Sequence, residues 1–313
     1  MVPRTPATAA DRVVAMLPPG LTPRLAAIYA GLAALGLVAL GVGLLLYAGA
    51  AQKDSAQRIA AADRAIADVT RDQARVPDLL AGAFEPEKGP ESPTKNYDAN
   101  AVRQQIKDVQ PGLDSAARTI GVDQGAIRTA LTTINDRGLR ALTSGSQLDK
   151  KAAALEAVGH ALDVRQEELT TARQQLTLLG DLTTAQENFG GLTAALDKAD
   201  LITATTRFTP ANNAIQQTVV DAQAASTPDA VRTYVNQVSA FMDATQSVIN
   251  SLTAHDFGEY TASLRVFTTR FENLANYDPK VVRQQYDDLV KSYNDRYNGY
   301  IHDAGLPTGT KSL

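Results

Sequence analysis

No cysteine and no tryptophan occur among the 313 residues, and there are only three histidines. The lack of cysteine excludes disulfides, thiolate metal sites, a thiol nucleophile and a lipid-modified N-terminal cysteine, and leaves the redox compartment open. Aromatics make up 5% of the chain, and much of its 44% hydrophobic share is alanine. Small side chains suit thin, closely packed helix pairs better than a wide globular core. The chain has no G-x-S-x-G, no phosphate-cradling glycine loop and no H-E-x-x-H. Nor does any stretch alternate polar and apolar residues for long enough to read as a strand. With a net charge of −4 and the signs interspersed, no basic stripe recommends nucleic acid as a partner. An enzyme is therefore not expected, and neither is a cofactor.

What the chain does have is Leu25–Tyr47, LAAIYAGLAALGLVALGVGLLLY, uncharged throughout and bounded by Arg24 and Lys53. Such a run reads as a membrane-spanning helix, since about twenty residues at a 1.5 Å rise cross the ~30 Å hydrocarbon core. Tyr29 and Tyr47 would stand roughly 27 Å apart, one ring near each interface. Ala48-Gly49-Ala50 has the form of a signal-peptidase site, yet the run exceeds the usual 7–15 apolar residues of a cleaved signal. A retained anchor is the expectation. Arg4, Arg12 and Arg24 precede it and Lys53, Arg58 and Arg64 follow, which favours a short tail inside and the large body outside. Ala33, Gly36, Ala39 and Gly43 form a small-residue face on which another membrane helix could approach closely.

The remaining punctuation divides the chain into a Pro-rich tail (1–23), the anchor (24–49), a helical stalk (50–83), a Pro-rich loop (84–97) and a helical body (98–313). No Pro or Gly interrupts 52–76, so anchor and stalk read as one helix to about Val76, projecting roughly 35–40 Å beyond the bilayer. Asp98 caps a helix expected to end at Pro111-Gly112, and Asp123 caps the next. Thr143–Ser146 reads as a turn. Thr209-Pro210, Thr227-Pro228 and Asp278-Pro279 are cap-plus-proline starts, and Asp256 with Glu259 is an acidic capping box. Gly121, Gly125 and Gly190-Gly191 are helix breaks or close-packing points, because no strand precedes them. The fold class is all-α: one N-terminal transmembrane helix continuing into an elongated antiparallel helical bundle or coiled-coil body.

Leu148, Leu155, Leu162, Leu169 and Leu176 repeat every seven residues, while the positions three further on, Lys151, Val158, Arg165, Ala172 and Leu179, are only partly apolar. That pattern fits a long helix packed within its own bundle, with an intermolecular coiled coil as the alternative. Thr205-Thr206-Arg207-Phe208 recurs as Thr268-Thr269-Arg270-Phe271, and Asn213 then aligns with Asn276, an offset of 270 − 207 = 63. The offset is explained equally by a hairpin repeat around 190–220 and 253–283 and by chance recurrence in a Thr- and Ala-rich chain. Glu156/His160 and His255/Glu259 have i, i+4 spacing, but solvated surface pairs explain them better than a metal. Tyr286, Tyr293, Tyr297 and Tyr300, with Val282 and Leu289, line one stretch of the last helix; they read as core edge or as a partner surface.

Three segments resemble the LemA family, bacterial proteins with one N-terminal membrane helix followed by a long helical bundle. They are Arg71–Leu80 (RDQARVPDLL); Asn188-Phe189 with Leu192, Leu196, Asp200, Ile202 and Arg207; and Tyr286–Val290 followed by Tyr293-Asn294. In the family the second and third segments follow one another closely, whereas a long insertion separates them here; a duplicated hairpin would account for it. The resemblance implies an envelope-associated helical protein rather than a reaction. The resulting expectation is a scaffold or accessory subunit in the bacterial cytoplasmic membrane, its body on the periplasmic or extracellular side. Its partners would be the bilayer, other membrane proteins and further copies of itself. The alternatives are a ligand-sensing bundle that signals through a partner, and a cell-envelope spacer or surface-layer attachment protein.

Overall fold

The computed structural model describes residues 23–84, 98–136, 141–198, 200–224, 227–275 and 278–307, with the first described side chain at Leu37. Among these residues the protein is helical with no strand: α1 Pro23–Gln73, α2 Val76–Phe84, α3 Ala99–Asn135, α4 Ala141–Asp197, α5 Leu201–Asp221, α6 Asp229–Ala254, α7 Phe257–Ala275 and α8 Pro279–Asp303. The Pro-rich loop and the N-terminal tail lie outside the described residues.

Several local signals act where the sequence places them. Asp98 Oδ1 accepts from the Asn100 and Ala101 amides and starts α3. Asp278 accepts from the Lys280 amide with Pro279 in the first turn of α8. His255 ends α6 in the left-handed region at φ 58°, and Asp256 then accepts from the Glu259 amide to begin α7. Ser144 breaks helical geometry inside α4, at the expected turn.

Other expected boundaries are absent. Pro111 lies inside α3, although its ring removes one helical hydrogen bond. Gly112 explains the pairing, since a Cβ there would stand 2.9 Å from the Leu79 carbonyl oxygen of α2. Pro111-Gly112 is thus a helix contact rather than a stop. Asp123 is a buried mid-helix residue and not a cap. Gly121 and Gly125 also continue α3, and a Cβ at either would have no neighbour within 4 Å. Pro210 sits within α5, whose cap is Asp200, accepting from the Thr203 amide. At Thr227-Pro228 the cap is Pro228 itself. α4 continues through Gly190-Gly191 to Asp197.

The helices form two compact units, residues Met1–Ala61 with Thr132–Ala152, and Ala62–Leu131 with Ala153–Leu313. In the first, Ala51, Ile134 and Leu148 are buried. Arg58 pairs there with Asp54 at 2.9 Å and donates to the Thr133 and Asp136 carbonyls, the acceptors left over at the end of α3. In the second unit the core joins Val76, Leu80, Leu113, Ile120, Leu169, Leu176, Val235 and Phe241. A further cluster of Leu192, Ala204, Phe208, Ile215, Met242 and Ile249 unites α4, α5 and α6. The expected free stalk is replaced by packed helix: Ala62, Ile66, Val69 and Gln73 of α1 are all buried.

All five sevenfold-spaced leucines of α4 are buried within the chain, which favours bundle packing over an external zipper. Among the described residues no helix is long and apolar enough to cross a membrane. Of Leu25–Tyr47, side chains are described only from Leu37 onward, a stretch shorter than the ~18 residues a span requires.

Candidate functional site

The second unit is organised around a buried polar centre. Arg165 occupies the second seam of the α4 heptads, where an apolar residue is the rule, and is 0% exposed. Its Nη1 donates to Glu168 Oε2 at 2.6 Å and to Asn294 Oδ1 of α8 at 3.0 Å. Its guanidinium carbon lies 4.2 Å from the centroid of the Tyr297 ring. Burial pushes the Glu168 carboxyl up from its ordinary value, with Arg165 opposing the shift. Arg165 Nε and Nη2 have no hydrogen-bond partner.

One turn further along, Thr171 and Tyr293 share a 2.7 Å hydroxyl hydrogen bond between α4 and α8. At the rim Arg296 Nη1 donates to Glu167 Oε2 at 2.7 Å. Gln73 of α1 donates to Asp123 of α3 at 2.7 Å, and burial raises the Asp123 carboxyl despite that bond. Burial likewise raises the Tyr297 phenol, which Arg165 pulls the other way and Asp123 reinforces. These groups tie neighbouring helices together and fix their register; no nucleophile is paired with a base among them.

Of the two readings of the last helix's tyrosines, core edge holds and the partner surface does not. Tyr286, Tyr293 and Tyr297 are buried in the core of the chain, and Tyr300 is half-buried against His160, the ring centroids 5.4 Å apart. The amphipathic ring suits such a place: its apolar body packs in the core, and the Tyr293 hydroxyl shares its hydrogen bond with Thr171. Of the anchor residues, Tyr29, Ala33 and Gly36 lie outside the described side chains. Ala39, Gly43 and Tyr47 are exposed. His255 and Glu259 do not share a helix, because the left-handed His255 separates α6 from α7. His160 is exposed and faces Asp163 at 3.8 Å. Among the described residues no group of three His, Asp or Glu side chains could hold a metal.

Sequence reading missed two further features. Asp181 of α4 meets Asp221, the last residue of α5; burial and the neighbouring carboxylate push Asp181 up to about 6. Between α4, α5, α6 and α7 lies a cavity of about 80 Å³, walled by Phe189, Ile215, Val238, Phe241, Met242 and Phe271. The Phe189 and Phe241 rings meet edge-on at 5.4 Å. A scarcity of aromatics hid this cluster, since its phenylalanines come from three helices.

The class that the fold defines is an all-α helical bundle with a buried polar layer between its helices. No family model, no curated protein and no solved structure matches the chain.

Proposed function

We propose that the protein is a membrane-anchored, non-enzymatic scaffold or accessory subunit of a bacterial membrane or envelope complex, held by Leu25–Tyr47 and docking partners through its small-residue face and its helical body. The observation that carries this reading is the burial pattern along α1. Leu37, Val38, Val42, Leu44, Leu46 and Tyr47 are exposed, and among the described side chains of α1 the first buried one is Ala51. Large apolar side chains concentrated this way are unfavourable in water by about 1.5–3 kcal/mol each relative to burial. Lipid or neighbouring helices would relieve that cost. Gly43 leaves open space within 4 Å, as a close helix contact needs. The resemblance of Arg71–Leu80 and the later segments to the LemA family supports the same reading, and the flanking arginines favour a body outside the cytoplasm.

The test is fractionation of cells producing the full chain. The protein is expected to remain in the membrane pellet through an alkaline carbonate wash and to be extracted by mild detergent together with a stoichiometric companion. Recovery in the carbonate supernatant would overturn the anchor, and a solitary species after extraction would overturn the accessory role.

A second reading, a ligand-sensing bundle, is favoured by the aromatic-walled cavity of about 80 Å³. Its walls admit a small apolar molecule. A saturable rise in melting temperature with small aromatic compounds, removed when Ala185, a buried residue of the same wall, is enlarged to Leu, would support this reading over the scaffold.

A further inference from the structure

Helix α7 carries two apolar rows in heptad register. Tyr260, Phe267 and Leu274 form the row turned to the core: Leu274 is buried, and the Phe267 ring lies 4.8 Å from that of Phe241. Phe257, Leu264 and Phe271, the other row, are 76%, 39% and 41% exposed; Phe271 also turns one edge inward, its ring 6.1 Å from that of Phe241, and the rest of the row is open. A helix with both seams filled and only one covered is built for a second helix.

The stretch of α5 with the same four-residue sequence shows what a covered row looks like. Phe208 ends the first Thr-Thr-Arg-Phe motif as Phe271 ends the second, and it is buried in the cluster that contains Leu192 of α4. The three-residue connection from α4 to α5 makes that covering helix an antiparallel one.

Charge selects the occupant. On the solvent side of the open row, Arg265 and Glu272 stand seven residues apart, both exposed. We infer that the open row pairs with α7 of a second copy of this chain, antiparallel, with Leu264 of each copy against Phe271 of the other. In antiparallel helices the same flanks meet, and in this register Arg265 and Glu272 of opposite copies differ by two residues, about 3 Å along the axis. The two-fold axis makes that ion pair twice. Sliding one copy to match Leu264 with Leu264 sets the two Arg265 side chains together instead. A parallel copy turns the charged flank toward the other chain's own core. Charge therefore favours one orientation and one register. This pairing does not rest on the membrane anchor.

The absence of cysteine makes a direct test available in the full chain, purified in mild detergent. In the inferred register Thr268 lies within about 2 Å of its twin along the axis, whereas the two copies of Thr261 are about 20 Å apart. Oxidation is expected to give a cross-linked dimer from Thr268→Cys and none from Thr261→Cys. Cross-linking of both positions would mean a parallel pair, and of neither, no pairing through α7; each result overturns the inference.

The charges give a second, independent reading. Arg265→Glu alone and Glu272→Arg alone are each expected to weaken dimerisation about tenfold, since every change acts at two pairs. The double reversal is expected to restore it. Single variants that weaken the dimer without rescue in the double would overturn the register. A different protein occupying the row while the chain stays monomeric would overturn the choice of a second copy.

Discussion

Arg165 is the residue whose environment departs furthest from its ordinary preference. A fully buried guanidinium is tolerable only because Glu168, Asn294 and the face of Tyr297 replace water, and even so two of its nitrogens go unpartnered. Replacing Arg165 by Met leaves Glu168 buried and alone, and is expected to cost about 3–5 kcal/mol in urea unfolding. Replacing both, Arg165→Met with Glu168→Leu, removes the two desolvation costs together and is expected to be near neutral or stabilising. Equal losses in the single and double variants would show that packing, not charge, fixes this layer. Asp181 presents a different case, a carboxyl whose burial beside Asp221 favours the protonated form. Its value of about 6 lies above the ordinary 3.8. Below about pH 4 the group is neutral in both folded and unfolded chains, and its contribution to stability is complete. Between there and about pH 6 the unfolded chain has released the proton and the folded chain has not, so stability falls as pH rises. Asp181→Asn is expected to raise stability by about 1–2 kcal/mol at pH 7.5, a figure reduced for partial solvent access, and by almost nothing at about pH 3. The same increment at both pH values would remove the titration from the account.

At the scale of the element, two glycines of α3 separate helix propensity from helix contact. Gly121 faces open space, so Gly121→Ala is expected to stabilise by about 1 kcal/mol through propensity alone. Gly112→Ala gains the same propensity but drives a Cβ to 2.9 Å from the Leu79 carbonyl oxygen, a backbone atom that cannot rotate away. A net loss of about 1–2 kcal/mol in thermal or denaturant unfolding is expected there. The pair also shows what could be read beforehand. Asp98, Asp256 and Asp278 were legible as caps because a cap is a bond to an amide two or three residues away and needs no partner from elsewhere. The leucines of α4 were legible as an internal stripe for the same local reason. Pro111 and Pro210 were not, since the packing of neighbouring helices outweighs the one hydrogen bond each removes. Asp123 reads as a cap in isolation; it becomes a core residue only because Gln73, fifty positions earlier, donates to it. Arg165 looked like a flaw in a heptad until α8 supplied Asn294 and Tyr297. The open row of α7 was present in the sequence as well, but only burial distinguishes its uncovered seam from its covered one.

For the whole molecule, the question is whether anchoring and folding are separable. The described apolar side chains between Leu37 and Tyr47 are exposed, whereas the polar centre and both apolar clusters draw on residues from Val76 onward together with Gln73. A charge placed in the apolar run should therefore disturb the membrane equilibrium and leave the core contacts untouched. Leu37 is the suitable site, near the middle of Leu25–Tyr47 and itself exposed. An arginine at the centre of a spanning helix costs about 2.5–3.5 kcal/mol of insertion free energy on the biological scale, enough to shift a single span with few reserves. Leu37→Arg is expected to move a substantial fraction of the chain out of the carbonate-resistant membrane pool, while the far-ultraviolet dichroism and the melting temperature of the detergent-solubilised protein match the parent. Arg165→Met should do the reverse, lowering the melting temperature while the chain stays membrane-bound. If Leu37→Arg left fractionation unchanged and lowered the melting temperature instead, the exposed face of α1 would be a protein contact within the chain's own assembly, and the membrane anchor would be the wrong account of it.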